Sequence, residues 1–131
     1  MAWENLLSAY RKCRRRKRFK RGAAEFDFAW ESNLLSLQQD LLTGNYQPGR
    51  YRHFYVHDPK RRRISAAPFR DRVVHHALCR VLDPIWGRRF VFDSYACRRG
   101  KGTHAAIDRC QHFTRGHAYV LQCDIHQFFP A

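Results

Sequence analysis

Carboxylates are scarce in this chain, with eleven Asp and Glu set against twenty-five Lys and Arg, a net charge of +14 over 131 residues. A surface so short of negative charge is unsuited to a cationic partner. The five cysteines, Cys13, Cys79, Cys97, Cys110 and Cys123, are odd in number and none are spaced Cys-x-x-Cys. That excludes zinc-finger spacing and leaves free thiols in a reducing compartment as the expectation. The N-terminus, Met1-Ala2-Trp3-Glu4-Asn5, has no apolar signal core, and no run is long enough to span a bilayer. A cytoplasmic protein with no membrane partner is expected. There is no internal repeat, low-complexity linker or Gly-x4-Gly-Lys-Ser/Thr phosphate loop.

What is abundant is arginine and aromatic side chains. Most of the bases are Arg, whose fork matches phosphate geometry better than a lysine ammonium does. A polyanion is the default partner, and nucleic acid ranks first. An anionic membrane ranks lower, because no segment reads as a basic amphipathic helix with a clean apolar face. Ten Phe, six Tyr and three Trp within a 44% hydrophobic composition supply material for a core.

Trp3, Leu6, Leu7 and Tyr10 fall at helical spacing, so residues 3–13 read as an amphipathic helix. Arg14 to Arg21 carries seven bases in eight residues around Phe19. It reads as a solvated arm, or as a phosphate clamp that orders on binding. Phe26, Trp30, Leu34, Leu37 and Leu41 form a second helical stripe, with Gly44 at its stop. Residues 50–57 alternate as a strand, Asp58-Pro59-Lys60 turns, and Arg61 to Ala66 returns to close a hairpin. Asp71 to Leu82 reads as a helix ended by Pro84. A loop over 94–103, a helix over 105–113 and an apolar strand over 119–123 complete the chain. The order is that of an α+β fold.

Four stretches carry candidate chemistry. The hairpin tip, Asp58-Pro59-Lys60-Arg61-Arg62-Arg63-Ile64-Ser65, suits a triphosphate or a nucleic-acid backbone, or else a charged edge that deters strand pairing. In Pro68-Phe69-Arg70-Asp71-Arg72-Val73-Val74-His75-His76, Asp71 sits in a first helical turn and reads as a cap or as the partner of Arg70 or Arg72. Adjacent His75 and His76 diverge on a helix and do not share a metal. The loop Ser94 to His104 brings Arg98, Arg99 and Lys101 between glycines ahead of a helix start, a setting suited to phosphate. Lastly, the terminal strand delivers Asp124, either a turn residue or a hard oxygen ligand for Mg²⁺.

Taken in series, three of these stretches resemble a known family. Lys60-Arg61-Arg62-Arg63-Ile64-Ser65-Ala66-Ala67-Pro68-Phe69-Arg70-Asp71-Arg72-Val73-Val74-His75-His76-Ala77-Leu78 resembles the fingers of bacterial reverse transcriptases of the group II intron and diversity-generating retroelement type. Asp93 to Ala106 is similar to the next block, and Leu121 to Pro130 to the first palm motif. The blocks arrive in family order and cover residues from about 45 onward.

The resemblance implies a right-hand polymerase fold in part. Residues 1–44 would be a helical lead-in with a basic arm, 45–116 the fingers, and 117–131 the start of the palm with its first catalytic strand. It implies RNA-directed DNA polymerase chemistry on an RNA template with a DNA or RNA primer. Asp124 would be the first catalytic carboxylate, holding Mg²⁺ together with the Ile125 carbonyl. Phe129 would be the steric gate against a ribose 2′-hydroxyl. Lys60 and Arg62 would meet the dNTP triphosphate, with Arg63 in their place if the register is off by one. Arg72, Arg98, Arg99 and Lys101 would lie along template or primer backbone. The family's Tyr/Phe-x-Asp-Asp strand and thumb are not in these residues, and one Asp cannot hold two Mg²⁺ ions for in-line attack. The expectation is a fragment that binds nucleic acid without polymerising alone, with a complementary palm and thumb polypeptide as a possible partner. The alternative is a stand-alone basic RNA-binding remnant.

Overall fold

The computed structural model describes residues 2–125. It contains five helices and a two-stranded sheet: α1 Trp3–Arg14, α2 Arg21–Phe28, α3 Trp30–Thr43, β1 Arg52–Val56, β2 Arg62–Ala66, α4 Phe69–Gly87 and α5 Thr103–Thr114. Two compact units divide between Pro84 and Ile85, within the last turn of α4.

The first unit is built on the apolar stripes of its helices. In α1, Leu6, Ala9, Tyr10 and Cys13 are buried at the i, i+3, i+4, i+7 spacing of one helix face. They meet Ala23 and Phe26 of α2, Leu34 and Leu37 of α3, and Phe69, Val73, Val74 and Ala77 of α4. Tyr10 is the hub. It stacks on Trp30 at 5.7 Å, tilts against Phe26 at 5.8 Å and meets Phe69 edge-on at 6.4 Å. Its hydroxyl donates to Asp27 at 2.6 Å, and Asp27 also pairs with Arg14. Burying each of Leu6, Leu34 and Leu37 contributes about 2 kcal/mol.

The second stripe read from the sequence is two helices, broken at Ala29, where the backbone leaves the helical region. The Asn33 side chain closes the break by donating to the Phe26 carbonyl at 3.0 Å. Gly44 ends α3 in the left-handed conformation (φ 75°), as its position implies. The Tyr46 amide then reaches back to the Asp40 carbonyl at 3.1 Å.

Between α3 and the hairpin, one buried carboxylate fixes the chain. Asp71, 2% exposed, accepts from the Tyr46 hydroxyl at 2.9 Å and the Gly49 amide at 2.8 Å. It neither caps α4 through its own backbone nor pairs with Arg70 or Arg72. Arg70 pairs instead with Asp40. Gly49 fits because a Cβ there would come within 2.8 Å of the Pro68 ring. The hairpin is antiparallel with Arg52 opposite Ala66, Phe54 opposite Ile64 and Val56 opposite Arg62.

Two further expectations are corrected. Pro84 does not end α4, which continues to Gly87. Proline removes one amide donor, but the loss falls within the last turn and the helix carries on through it. The stretch Tyr119–Cys123, read as a buried strand, is neither strand nor buried. Tyr119 and Leu121 are almost wholly exposed. A strand exists only through a neighbour that accepts its ladder bonds, and among the described residues none lies beside it.

In the second unit none of the described residues is fully buried. Polar and cation–π contacts organise it instead. Among the described residues, no helix is long and apolar enough to cross a membrane. Cys13 is buried and Cys79, Cys97, Cys110 and Cys123 are exposed, all as free thiols.

Burial, reinforced by the hydrogen bonds to Asp27 and Asp71, pushes the Tyr10 and Tyr46 hydroxyls up to about 12. A folded-state value above the unfolded one means that this contribution is complete below pH 10 and is lost as pH rises through about 12. The urea midpoint is therefore expected to fall across that window. The Tyr10→Phe/Tyr46→Phe variant is expected to lose much of the slope. An unchanged slope in the variant would assign the alkaline loss to other groups.

Candidate nucleic-acid interface

The hairpin root, α2 and the start of α4 enclose an open cleft of about 1160 Å³ in the first unit. Its lining carries Lys17, Lys20, Arg21, Arg50, Arg52, Arg70 and Arg72 against one acid, Glu25. Glu25 is taken by Arg21 at 2.8 Å and Arg70 is taken by Asp40. Among the described residues, Lys17, Lys20, Arg50, Arg52 and Arg72 have no carboxylate partner. Their charges face the cleft without internal compensation.

Arg72 is the best defined of them. Its guanidinium lies 5.4 Å from the Phe69 ring centre, and its Nε is a buried donor with no acceptor. A buried N–H without a partner is costly, of the order of 1–3 kcal/mol, and a phosphate oxygen entering the cleft is the kind of acceptor that offsets it. Nearby His76 is held below its usual range by burial first, then by the positive charges of Lys12, Lys17 and Arg72.

Strand register sorts the hairpin bases. Arg52, Phe54, Ile64 and Ala66 share a face with Arg62, and Arg52, Phe54 and Ala66 line the cleft. Arg63 lies opposite Tyr55 on the other face, with His53 and Ser65. Arg62 therefore belongs to the cleft side and Arg63 does not. Lys60 sits in the turn at the far end. Of the cleft bases, sequence reasoning singled out Arg72 as a contact and the 14–21 run as a possible clamp. It passed over Arg50 and Arg52, although the period-two alternation that put Arg52 beside Phe54 was a usable signal.

In the second unit, Arg98 spends its guanidinium on the loop's own backbone. It donates to the Val91, Ser94 and Gly87 carbonyls at 2.9, 3.1 and 3.0 Å. Lys101 donates to the Phe92 carbonyl at 2.8 Å and sits 3.5 Å over the Phe92 ring and 4.7 Å over Tyr95. Asp93 accepts from Arg109 at 2.9 Å and Tyr95 at 3.0 Å; the Arg109 bond holds its carboxyl below the usual range. Arg99 is exposed on this loop.

Asp124 and Ile125 are exposed, and Phe129 lies outside the described residues. No group of three or more His, Cys, Asp or Glu side chains gathers as a metal site among the described residues. Those residues alone do not fit a Mg²⁺ ion, which needs several oxygen ligands in near-octahedral array.

No family model matches the chain. Over 109 residues it is 28% identical to nuclear intron maturase 2, mitochondrial, of Arabidopsis thaliana, a match covering 71% of this chain and 15% of that protein. Over 101 residues it is 32% identical to protein YkfC of Escherichia coli strain K12, covering 71% of this chain and 26% of that protein. The chain is thus a distant homologue of an intron maturase and spans about a quarter or less of the length of either relative.

Arg98→Lys keeps the charge but cannot reach three carbonyls from one planar fork. Amide exchange over residues 87–98 is expected to quicken about tenfold or more in this variant, while the first unit is unchanged. Equal protection in both proteins would show that the loop is held by other contacts.

Proposed function

We propose that this chain is the fingers, with the start of the palm, of a reverse transcriptase of the group II intron type, and that it binds RNA in the cleft of its first unit. The observation that carries the reading is the convergence of Lys17, Lys20, Arg50, Arg52 and Arg72 on one cleft whose single acid, Glu25, is paired with Arg21, leaving these five without a carboxylate partner among the described residues. Phosphate contacts supply most sequence-independent affinity for nucleic acid. The similarity to an intron maturase supports RNA as the polyanion. Within this reading Asp124 is the first palm carboxylate and Phe129 the sugar gate. Further oxygen ligands beside Asp124 would be needed before Mg²⁺ is held.

Fluorescence anisotropy with a labelled RNA stem-loop tests the cleft. Five neutralised phosphates give a log–log salt slope of about −4. The Lys17→Gln/Lys20→Gln/Arg50→Gln variant is expected to flatten it by about 2 to 3. Binding that ignores salt, or a variant with the parent's slope, would remove the cleft from the account.

The nucleotide part has its own test. In this proposal Lys60 and Arg62 meet the triphosphate. Photolabelling with an azido-dATP is expected to drop several-fold in Lys60→Gln/Arg62→Gln and to persist in Arg63→Gln, whose side chain emerges on the opposite face. Equal losses in both variants would contradict that assignment.

A further inference from the structure

The hairpin face turned away from the cleft residues has no role in the reading above, and its composition is unusual. Tyr55 stands at its centre and is half-exposed (53%). Directly across the ladder is Arg63. The Arg61 guanidinium lies 4.2 Å from the Tyr55 ring centre. His53 and Ser65, the next pair along, hold each other through Nδ1 and Oγ at 2.8 Å. Every residue of β1 is exposed, and so is every residue of β2 except Ala66. An aromatic ring kept in water, next to two arginines with no carboxylate partner among the described residues, is not explained by packing.

These are the parts of a platform for unpaired bases. A flat ring offers a stacking surface to any base, and flanking guanidiniums neutralise the phosphates on either side and stack in their own right. A paired base hides its faces inside the duplex and gains nothing from Tyr55. The cross-strand bond between His53 and Ser65 pins the register that sets Tyr55 opposite Arg63, and Arg61, just before β2, is placed by its contact with the Tyr55 ring. The positive charge argues for nucleic acid as the occupant and against a basic or neutral peptide.

We propose that this face, centred on Tyr55 with Arg61 and Arg63, is a stacking site for single-stranded nucleic acid, separate from the cleft. The inference rests on the nucleic-acid reading for its ligand class but not on the cleft for its geometry.

The test compares a labelled twelve-nucleotide oligo(A) RNA carrying one 2-aminopurine with a twelve-base-pair RNA duplex. The intact 131-residue chain is measured beside Tyr55→Thr, which keeps strand propensity without a ring, and Tyr55→Phe, which keeps the ring. Single-strand affinity is expected to fall roughly 5- to 100-fold in Tyr55→Thr, with loss of 2-aminopurine quenching. Duplex affinity should move less than about twofold, and Tyr55→Phe should match the parent. Single-strand affinity unchanged in Tyr55→Thr overturns the proposal, as does a parallel fall for single strand and duplex. An equal loss in Tyr55→Phe overturns stacking as the cause. Failure of the parent to bind either RNA overturns the nucleic-acid reading itself, which separates that failure from failure of the platform.

Discussion

The geometry of the first unit depends on the Asp71 carboxylate. It is buried at the start of α4 and accepts from the Tyr46 hydroxyl and the Gly49 amide. Those two donors lie on the segment that leaves α3 and enters the hairpin. One side chain therefore ties the helical core to the root of an element with almost no core of its own. A two-stranded hairpin is marginal by itself. Its position beside α2 and α4, and so the cleft, follows from this anchor and from the close approach that Gly49 permits. Tyr46 also lies under the Arg70 guanidinium at 5.2 Å, which joins the anchor to the Arg70–Asp40 pair.

The same economy explains how a chain of such high positive charge folds. Four of its eleven acids are committed to internal work. Asp27 serves Tyr10 and Arg14, Asp40 serves Arg70, Asp71 holds the hairpin root, and Asp93 gathers Arg109 and Tyr95. Each fixes a fold contact where charge is partly or wholly withdrawn from water. Among the described residues, Lys17, Lys20, Arg50, Arg52 and Arg72 are left without a carboxylate partner on one cleft, so the surface that results is fit for a polyanion. Beside those carboxylate pairs, arginine also folds the chain through rings and carbonyls, as Arg98 shows.

Much of the first unit was legible from residue spacing. The stripe of α1, the stop at Gly44 and the two arms of the hairpin are local patterns of period 3.6 or 2, and local patterns survive in the fold. The break at Ala29 was not legible, because the apolar stripe runs through it unbroken and only the Asn33 side chain marks it. Pro84 misled because proline is a strong stop signal that a final helical turn tolerates. Tyr119–Cys123 misled because an apolar run states a preference for burial, whereas a strand needs a partner that the run cannot specify.

By itself the sequence determined the helices of the first unit, the hairpin, the excess of arginine and the order of blocks that resembles a reverse transcriptase. Composition and short-range periodicity set these, and both are written in neighbouring residues. Only the tertiary structure decided that Asp71 is an anchor rather than a cap, that Arg62 rather than Arg63 is on the cleft side, and that Lys17, Arg50 and Arg72 share one cleft. The anchor and the cleft join residues 22 to 55 positions apart, so the burial of that carboxylate and the meeting of those bases are set by contacts that no local window contains.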